Sequence, residues 1–209
     1  MIPIGDDNPR RSFPLINYVL ILTNVVVFLV ELNAGDDFVM TYSFIPSLFH
    51  ANPLGYFLTI ITSTFLHAGW LHLLGNMLFL WIFGDNVEDR LGHTTYLGFY
   101  LLCGVAATLA QYAASANAQI LILGASGSIA GVMGAYIVLF PGARIRVLVS
   151  IIPVRVPAWA AIGVWIIIQA VSGLSSFGGG AAAGGVAYLA HVGGFFTGLL
   201  LVLITGASS

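Results

Sequence analysis

One serine in this 209-residue sequence has the surroundings expected of a nucleophile. Ser126 stands in the stretch Gly124-Ala125-Ser126-Gly127, just before an apolar run that ends at Phe140. Glycines on both sides permit a sharp turn of the backbone and a close approach of other groups to the hydroxyl. By itself the pattern is more often a loop that enters a helix with small packing residues, so its meaning depends on possible partners.

A histidine near the end of the chain is the candidate general base. His191 lies within the last apolar run, where an imidazole is costly unless it has a partner and where ionisable side chains usually serve a function. If its ring contacts the Ser126 hydroxyl, it can take the hydroxyl proton and later return it to a leaving amine. The alternative is a structural histidine bonded to a backbone carbonyl.

Glycine spacing predicts how this serine and this histidine come together. Gly127 and Gly131 are four residues apart in the fourth apolar run, and Gly194 and Gly198 are four apart in the sixth. Small residues at this spacing form a helix face that lets two helices approach closely. We therefore predict close packing of these two runs, although packing alone would also account for the glycines.

Two further polar residues share one face of the second apolar run. His72 and Asn76 are four residues apart, a spacing that places side chains on the same side of a helix. Preorganised donors of these types stabilise the negative charge that develops on a carbonyl oxygen during acyl transfer. Two alternatives stay open. One is a metal site of His67, His72 and His191, which lacks a carboxylate or thiolate at useful spacing. The other is a polar network that only packs helices together.

The distribution of charged residues excludes several other catalytic sites. Aspartate and glutamate occur only up to position 89, and lysine is absent from the sequence. The absence of lysine excludes a Ser-Lys dyad, and there is no His-Glu-x-x-His zinc motif. A net charge of −2 without a large basic patch gives no indication of nucleic-acid binding. We therefore expect serine and histidine to carry any catalysis, with no metal and no cofactor.

The composition indicates a single polytopic membrane domain. Hydrophobic residues make up 59% of the chain and charged residues 7%, against about 25% charged in soluble domains. Six apolar runs are predicted to span the bilayer as helices, at 14–32, 69–84, 94–114, 126–140, 156–172 and 186–205. The proline-broken segment 33–68 is predicted to lie in the membrane interface or to re-enter it. The predicted organisation is an N-terminal tail at 1–13, a membrane domain at 14–205 and a C-terminal tail at 206–209.

The arginines predict the orientation of the chain. All six basic residues are arginines, and with six spans they fall on one side: Arg10, Arg11, Arg90, Arg144, Arg146 and Arg155. The positive-inside tendency places that side, and both termini, in the cytoplasm. The fourth run would rise only about 22 Å as a helix, against a hydrocarbon core of roughly 30 Å. Ser126 is therefore expected at a helix N-terminus below the outer surface.

Three motifs fall in order on the second, fourth and sixth runs. They are His-x-x-x-x-His-x-x-x-Asn at 67–76, Gly-x-Ser-Gly at 124–127 and Ala-His-x-x-Gly-x-x-x-Gly at 190–198. Together with the topology, they make the sequence resemble the rhomboid family of intramembrane serine proteases in its six-span bacterial form. The resemblance covers essentially the whole chain.

The resemblance implies an all-α bundle of six transmembrane helices, with a membrane-interface loop between the first two. It implies that Ser126 is the nucleophile and His191 the general base, and that His72, Asn76 and the Ser126 backbone N–H form the oxyanion hole. Span 156–172 and loop 173–185 would form the gate and cap. The implied partners are transmembrane protein substrates and the lipid bilayer, with no nucleic acid or metal, in the plasma membrane of a bacterium.

The sequence departs from the family pattern at a position that matters for the base. Some members have a tyrosine four residues after the nucleophile, stacked on the histidine, and here that residue is Ala130. Other packing must therefore orient His191. A non-catalytic escort protein and a transporter are the alternative functions. Escort proteins of this type usually lack the serine or the histidine, and a transporter predicts paired half-helix sites or a charged pathway.

Overall fold

The computed structural model describes residues 2–175 and 186–206, and these are mostly helical. The helices are, in order, α1 (Leu15–Ala34), α2 (Asp36–Tyr42), α3 (Pro46–Ala51), α4 (Pro53–Tyr56), α5 (Thr59–Thr62), α6 (Trp70–Leu91), α7 (His93–Ala114), α8 (Ser126–Leu139), α9 (Ala158–Ser175) and α10 (Tyr188–Thr205). A 3-10 turn covers Ser63–Phe65. The strands are β1 (Ile2–Asp6), β2 (Arg144–Val149) and β3 (Ile152–Pro157).

Helix α8 is the centre of the bundle. Most of its 14 residues are buried, and it packs against α10, α7 and α6. The sequence of α8 contains no charged residue and is rich in glycine and alanine, so neighbouring backbones can approach it from several sides. Its length corresponds to about 21 Å, less than the roughly 30 Å of a bilayer core.

Three of the described helices are long and apolar enough to cross a membrane alone, namely α1, α7 and α10. A fourth candidate is the pair formed by Pro53–Phe65 and α6, which is bent by 77°. Helices α8 and α9 are apolar but shorter. By length and composition, the described residues therefore contain three or four spans, and the predicted count of six is not confirmed.

A three-stranded antiparallel sheet departs from the predicted all-α class. Strand β2 lies in the middle, with β1 on one side and β3 on the other. Strand β1 lies within the predicted N-terminal tail, and β3 ends at Pro157, two residues into the fifth span predicted at 156–172. Alternating β-branched residues in β2 and β3 suit a pleated, half-buried surface better than a loop.

The buried carboxylate of Glu88 holds α1 against α6. It accepts hydrogen bonds from the backbone N–H groups of Ile16 and Asn17, at 2.9 and 2.7 Å. These groups lie in the first turn of α1 and have no partner within the helix. His93 Nδ1 lies 2.5 Å from the same carboxylate. Glu88 therefore connects the beginnings of α1 and α7 to the end of α6.

The segment between α1 and α6 consists of short helices that cover the loop before α8. Phe44 and Ile122 form an antiparallel bridge, with backbone N–H to carbonyl distances of 3.1 and 2.8 Å. The backbone N–H of Gly124 donates to the Ser63 carbonyl at 2.9 Å. These bonds satisfy backbone groups of the α7–α8 loop, which cannot stay unpaired within a membrane.

Candidate active site

The glycine faces of α8 and α10 bring the two helices into backbone contact. A Cβ atom on Gly194 would overlap the Gly127 carbonyl, and one on Gly198 would overlap the Gly131 carbonyl. Backbone carbonyls cannot yield as a flexible side chain can. The contact therefore requires glycine at both α10 positions. It also sets the distance between residues at the matching ends of the two helices, which are their N-terminal ends.

Ser126 and His191 lie at these matching ends and contact each other. The Oγ of Ser126 is 2.7 Å from Nε2 of His191, which is hydrogen-bond distance. Ser126 is the first residue of α8, and the His191 side chain comes from the first turn of α10. His191 is buried. The arrangement allows the ring to accept the hydroxyl proton if Nε2 is unprotonated.

Two side chains of α9 orient the His191 ring, and the sequence analysis missed both. The amide Oε1 of Gln169 lies 2.7 Å from His191 Nδ1. The Trp165 ring lies beside the imidazole, with centroids 5.6 Å apart and planes inclined by 33°. Gln169 is the one amide in the apolar run of α9, with Trp165 one helical turn earlier. That isolated polar residue was the available signal.

His72 and Asn76 converge at the turn before α8. The Ala68 N–H donates to His72 Nδ1 at 3.3 Å, which leaves the ring proton on Nε2. A Cβ atom on Gly124 would lie 2.9 Å from that Nε2 and 3.7 Å from the Asn76 Nδ2. Gly124 has a φ of +120°, a conformation that side-chain-bearing residues rarely adopt. Both donors therefore face the backbone next to Ser126.

Asn76 Nδ2 is a buried donor with no hydrogen-bond partner among the described residues. A buried donor without an acceptor costs free energy, and in native proteins such a group usually binds a ligand or an ordered water. The backbone N–H of Ser126, at the first position of α8, also has no intrahelical acceptor. These two N–H groups are thus available to an oxygen atom placed beside Ser126.

A cavity of about 740 Å³ opens onto these groups. Its wall contains the four polar side chains and apolar residues of α6, α8 and α9: His72, Asn76, Ser126, His191, Phe79, Met133 and Trp165. A second cavity of about 470 Å³ lies below it, is lined by apolar side chains, and shares Phe79, Met133 and Trp165 with the first. The site is accordingly polar near Ser126 and His191 and apolar toward the sheet.

The alternative of a histidine metal site gains no support from the geometry. The His67 and His72 rings are 5.2 Å apart, but His191 bonds Ser126 and Gln169 instead. No group of three potential metal ligands occurs within residues 2–175 and 186–206. His67 donates its backbone N–H to the Glu31 carboxylate at 3.2 Å. Of the predicted cap loop 173–185, residues 176–185 lie outside the described residues.

Comparison with known proteins gives the family. The Rhomboid domain family model matches residues 54–208. The chain is 31% identical to Rhomboid protein 1, mitochondrial, of Saccharomyces cerevisiae, over 88% of this chain and 51% of that protein. It is 30% identical to Rhomboid-like protein 11, chloroplastic, of Arabidopsis thaliana, over 74% of this chain and 54% of that protein. It is also 31% identical to Rhomboid protease GluP of Bacillus subtilis, over 60% and 25% respectively. The chain therefore spans about half the length of the first two relatives and a quarter of the third. This chain is an integral membrane protein that belongs to the rhomboid family.

Proposed function

We propose that the chain is an intramembrane serine endopeptidase that cleaves transmembrane segments of other membrane proteins. The observation that carries the proposal is the 2.7 Å contact between Ser126 Oγ and His191 Nε2 beside a cavity. The family and the protease names of relatives, GluP and the putative rhomboid protease YdcA of Bacillus subtilis, support the reaction class.

In the proposed reaction Ser126 Oγ attacks the carbonyl carbon of the scissile peptide bond. His191 Nε2 takes the hydroxyl proton as the C–O bond forms, and it then donates this proton to the leaving nitrogen as the C–N bond breaks. The product is an acyl-enzyme and a free amine. Water then attacks the ester, again with its proton passing through His191, and releases the carboxylate product and free Ser126.

The tetrahedral intermediates carry a negative oxygen that needs fixed donors. In the proposal the side chains of Asn76 and His72 and the backbone N–H of Ser126 have this role, and it is supported by the closeness of both side chains to the turn at Gly124. Donors held in place before the reaction stabilise the charge without reorganisation, and each is worth about 10²–10³ in rate. The unpaired Asn76 amide supports this role, because the oxyanion supplies the acceptor that the amide lacks.

Helix α9 has two roles in the proposed enzyme. The family resemblance implies that it forms the gate through which substrate enters, and its side chains Gln169 and Trp165 contact the base. Movement of α9 would therefore change substrate access and the orientation of His191 together. An intact substrate helix hides its carbonyls, so cleavage is expected where the substrate helix is weak.

The proposed topology is the six-span form, with α8 and α9 completing the count and the segment before α6 in the membrane interface. All the arginines then lie on one side, which the positive-inside tendency assigns to the cytoplasm with both termini. We propose residues 14–205 as the membrane domain. A bacterial plasma membrane is the proposed location, while the relatives include proteins named as mitochondrial and chloroplastic.

The experiment that tests the function is cleavage of a model transmembrane substrate by the protein reconstituted in liposomes. The parent should cleave the substrate, and Ser126→Ala and His191→Ala should each abolish cleavage. A fluorophosphonate should label the parent but not Ser126→Ala. Ser128→Ala is the matched control, because this buried serine lies two residues away on the same helix, and it should retain cleavage and labelling.

Other outcomes separate the alternatives. Cleavage that persists in folded Ser126→Ala would contradict the nucleophile, and cleavage abolished by a chelator would revive the metal site. If the parent binds the substrate but neither cleaves it nor reacts with the fluorophosphonate, the escort function is favoured.

A further inference from the structure

The β2–β3 hairpin has one face made entirely of β-branched apolar residues. Cross-strand partners share a face, and the register pairs Ile145 with Val156, Val147 with Val154, and Val149 with Ile152. The opposite face carries all the charge of the hairpin and pairs Arg144 with Pro157, Arg146 with Arg155, and Leu148 with Pro153. The hairpin is therefore amphipathic across its thickness.

Only the inner half of the apolar face is covered by the bundle. Ile145 and Val147 are each 2% exposed and lie near Phe83 and Met133, in the lining of the lower cavity. At the outer half, Ile152 is 64% exposed and Val149 is also exposed, and on the edge strand β3 the exposed surface extends to Val154. Ile151, in the turn, is 87% exposed. The same apolar surface thus continues past the edge of the protein.

The surroundings of the outer half indicate a bilayer. The inner half of this face covers the end of a membrane-embedded bundle, so the outer half points in the same direction, toward the lipid beside it. Strand β3 runs directly into α9, whose exposed apolar side chains begin at Trp159 and continue with Val164. Tryptophan is enriched where a membrane meets water. The exposed hairpin surface is therefore continuous with the exposed apolar surface of α9.

The charged face of the hairpin also suits a position at the membrane surface. Arg144, Arg146 and Arg155 lie on the side of the sheet that faces away from the bundle. Arg146 and Arg155 reach the Asp7 carboxylate, at 3.8 and 3.4 Å. Arginine on the polar face of an interfacial amphipathic element is attracted to anionic headgroups, while the apolar face enters the acyl boundary.

A strand from another protein is a poorer partner for this hairpin. The backbone N–H and C=O groups of successive residues in β3 point alternately to the two sides of the strand. Those of Pro153, Arg155 and Pro157 therefore point to the same side. Proline has no N–H to donate to β2, so this set faces the free edge and offers only one donor, that of Arg155. Prolines on an edge strand block strand addition.

We propose that the β2–β3 hairpin is a membrane-contact element that rests on the leaflet at the arginine-bearing end of the protein, with Ile151, Ile152 and Val149 among the lipid acyl chains. Since β3 leads without a break into α9, the hairpin also fixes the foot of α9 at a set depth. The inference depends on membrane embedding and not on proteolysis.

The test is site-directed spin labelling in vesicles of phosphatidylcholine with a minority of phosphatidylglycerol. Labels are placed at Ile152→Cys and Pro153→Cys, adjacent residues on opposite faces. Native Cys103 is buried and is not expected to react, and labelling of the parent protein without an added cysteine checks this. The Ile152 label should be more accessible to oxygen than to a water-soluble nickel complex, and the Pro153 label should show the reverse. Ile151→Cys, in the exposed turn, provides a second lipid-facing site with little risk to folding.

Two results would overturn the proposal. Equally high accessibility to the nickel complex at positions 151, 152 and 153 would place the whole hairpin in water. Protection of positions 151 and 152 from both reagents would mean that protein covers this face, either another part of the chain or a second copy.

Discussion

The Gln169 side chain holds His191 from the side of the ring opposite Ser126. Its Oε1 lies 2.7 Å from His191 Nδ1, while Nε2 lies 2.7 Å from the Ser126 Oγ. An amide oxygen accepts, so the ring proton resides on Nδ1 and the lone pair of Nε2 faces the hydroxyl. A neutral amide in this place parallels the asparagine of Cys-His-Asn proteases. With Trp165 beside the ring, α9 supplies the orientation that Ala130 cannot give.

We predict that Gln169→Leu lowers kcat about fivefold and leaves KM nearly unchanged, because one neutral hydrogen bond to the base is worth about 1 kcal/mol. Gln169→Glu should retain most of kcat, since a carboxylate oxygen also accepts from Nδ1. Steady-state cleavage of a transmembrane substrate measures both constants, and thermal unfolding in detergent checks that the variants are folded. A rise in KM with unchanged kcat in Gln169→Leu would show that Gln169 contacts substrate and does not orient the base.

Asn76→Ala should lower kcat by about 10²–10³, the range found when one oxyanion donor is removed. The midpoint of thermal unfolding should stay the same or rise, because the change deletes a buried donor that has no partner in the described residues. Reaction of Ser126 with a fluorophosphonate should slow in parallel. Unchanged kcat in a folded Asn76→Ala protein would remove Asn76 from the oxyanion hole.

Gly198→Ala should destabilise the protein by about 1–3 kcal/mol, because the added methyl group overlaps the Gly131 carbonyl and pushes α10 from α8. Cleavage should fall as well, since the Ser126–His191 distance depends on that contact. Gly163→Ala is the matched control: apart from the backbone of its own helix, this α9 glycine has no atom within 4 Å of the added Cβ. Thermal unfolding in detergent compares them. Equal midpoints for the two variants would mean that α8 and α10 separate without cost.

Apolar runs predicted the helices α1 and α6 to α10 but not the short helices α2 to α5. Glycine spacing predicted the close packing of α8 and α10, which brings His191 to Ser126, because small residues four apart mark the helix faces that meet. Gln169 was not predicted as a partner of His191, since the direction in which a lone polar residue points depends on how α9 packs against α10. The sheet was missed for another reason. The alternation Arg144-Ile145-Arg146-Val147 is visible in the sequence, but the partner strand β1 lies about 140 residues away, and no local signal pairs the two.

Asp6 connects that sheet to the helices and should make stability depend on pH. Its Oδ2 accepts hydrogen bonds from the Tyr136 hydroxyl at 2.5 Å and from Asn86 Nδ2 at 2.9 Å. Burial, assisted by the nearby Asp85 carboxylate, raises the pKa of Asp6 from 3.8 to about 6, although its hydrogen bonds act in the opposite direction. The folded protein therefore binds the Asp6 proton more tightly than the unfolded chain does.

Because the pKa of Asp6 is raised on folding, this group contributes stability below pH 3.8 that is lost as the pH rises to about 6. Asp6→Asn keeps an acceptor for Tyr136 and cannot ionise. We predict that parent and variant have similar unfolding midpoints near pH 4, and that the parent falls below the variant by pH 7. Thermal unfolding in detergent across this pH range measures the difference between the midpoints of parent and variant. The contributions of titrating groups other than Asp6 cancel in this difference. A difference that does not change between pH 4 and pH 7 would contradict the raised pKa and indicate that Asp6 is ionised throughout.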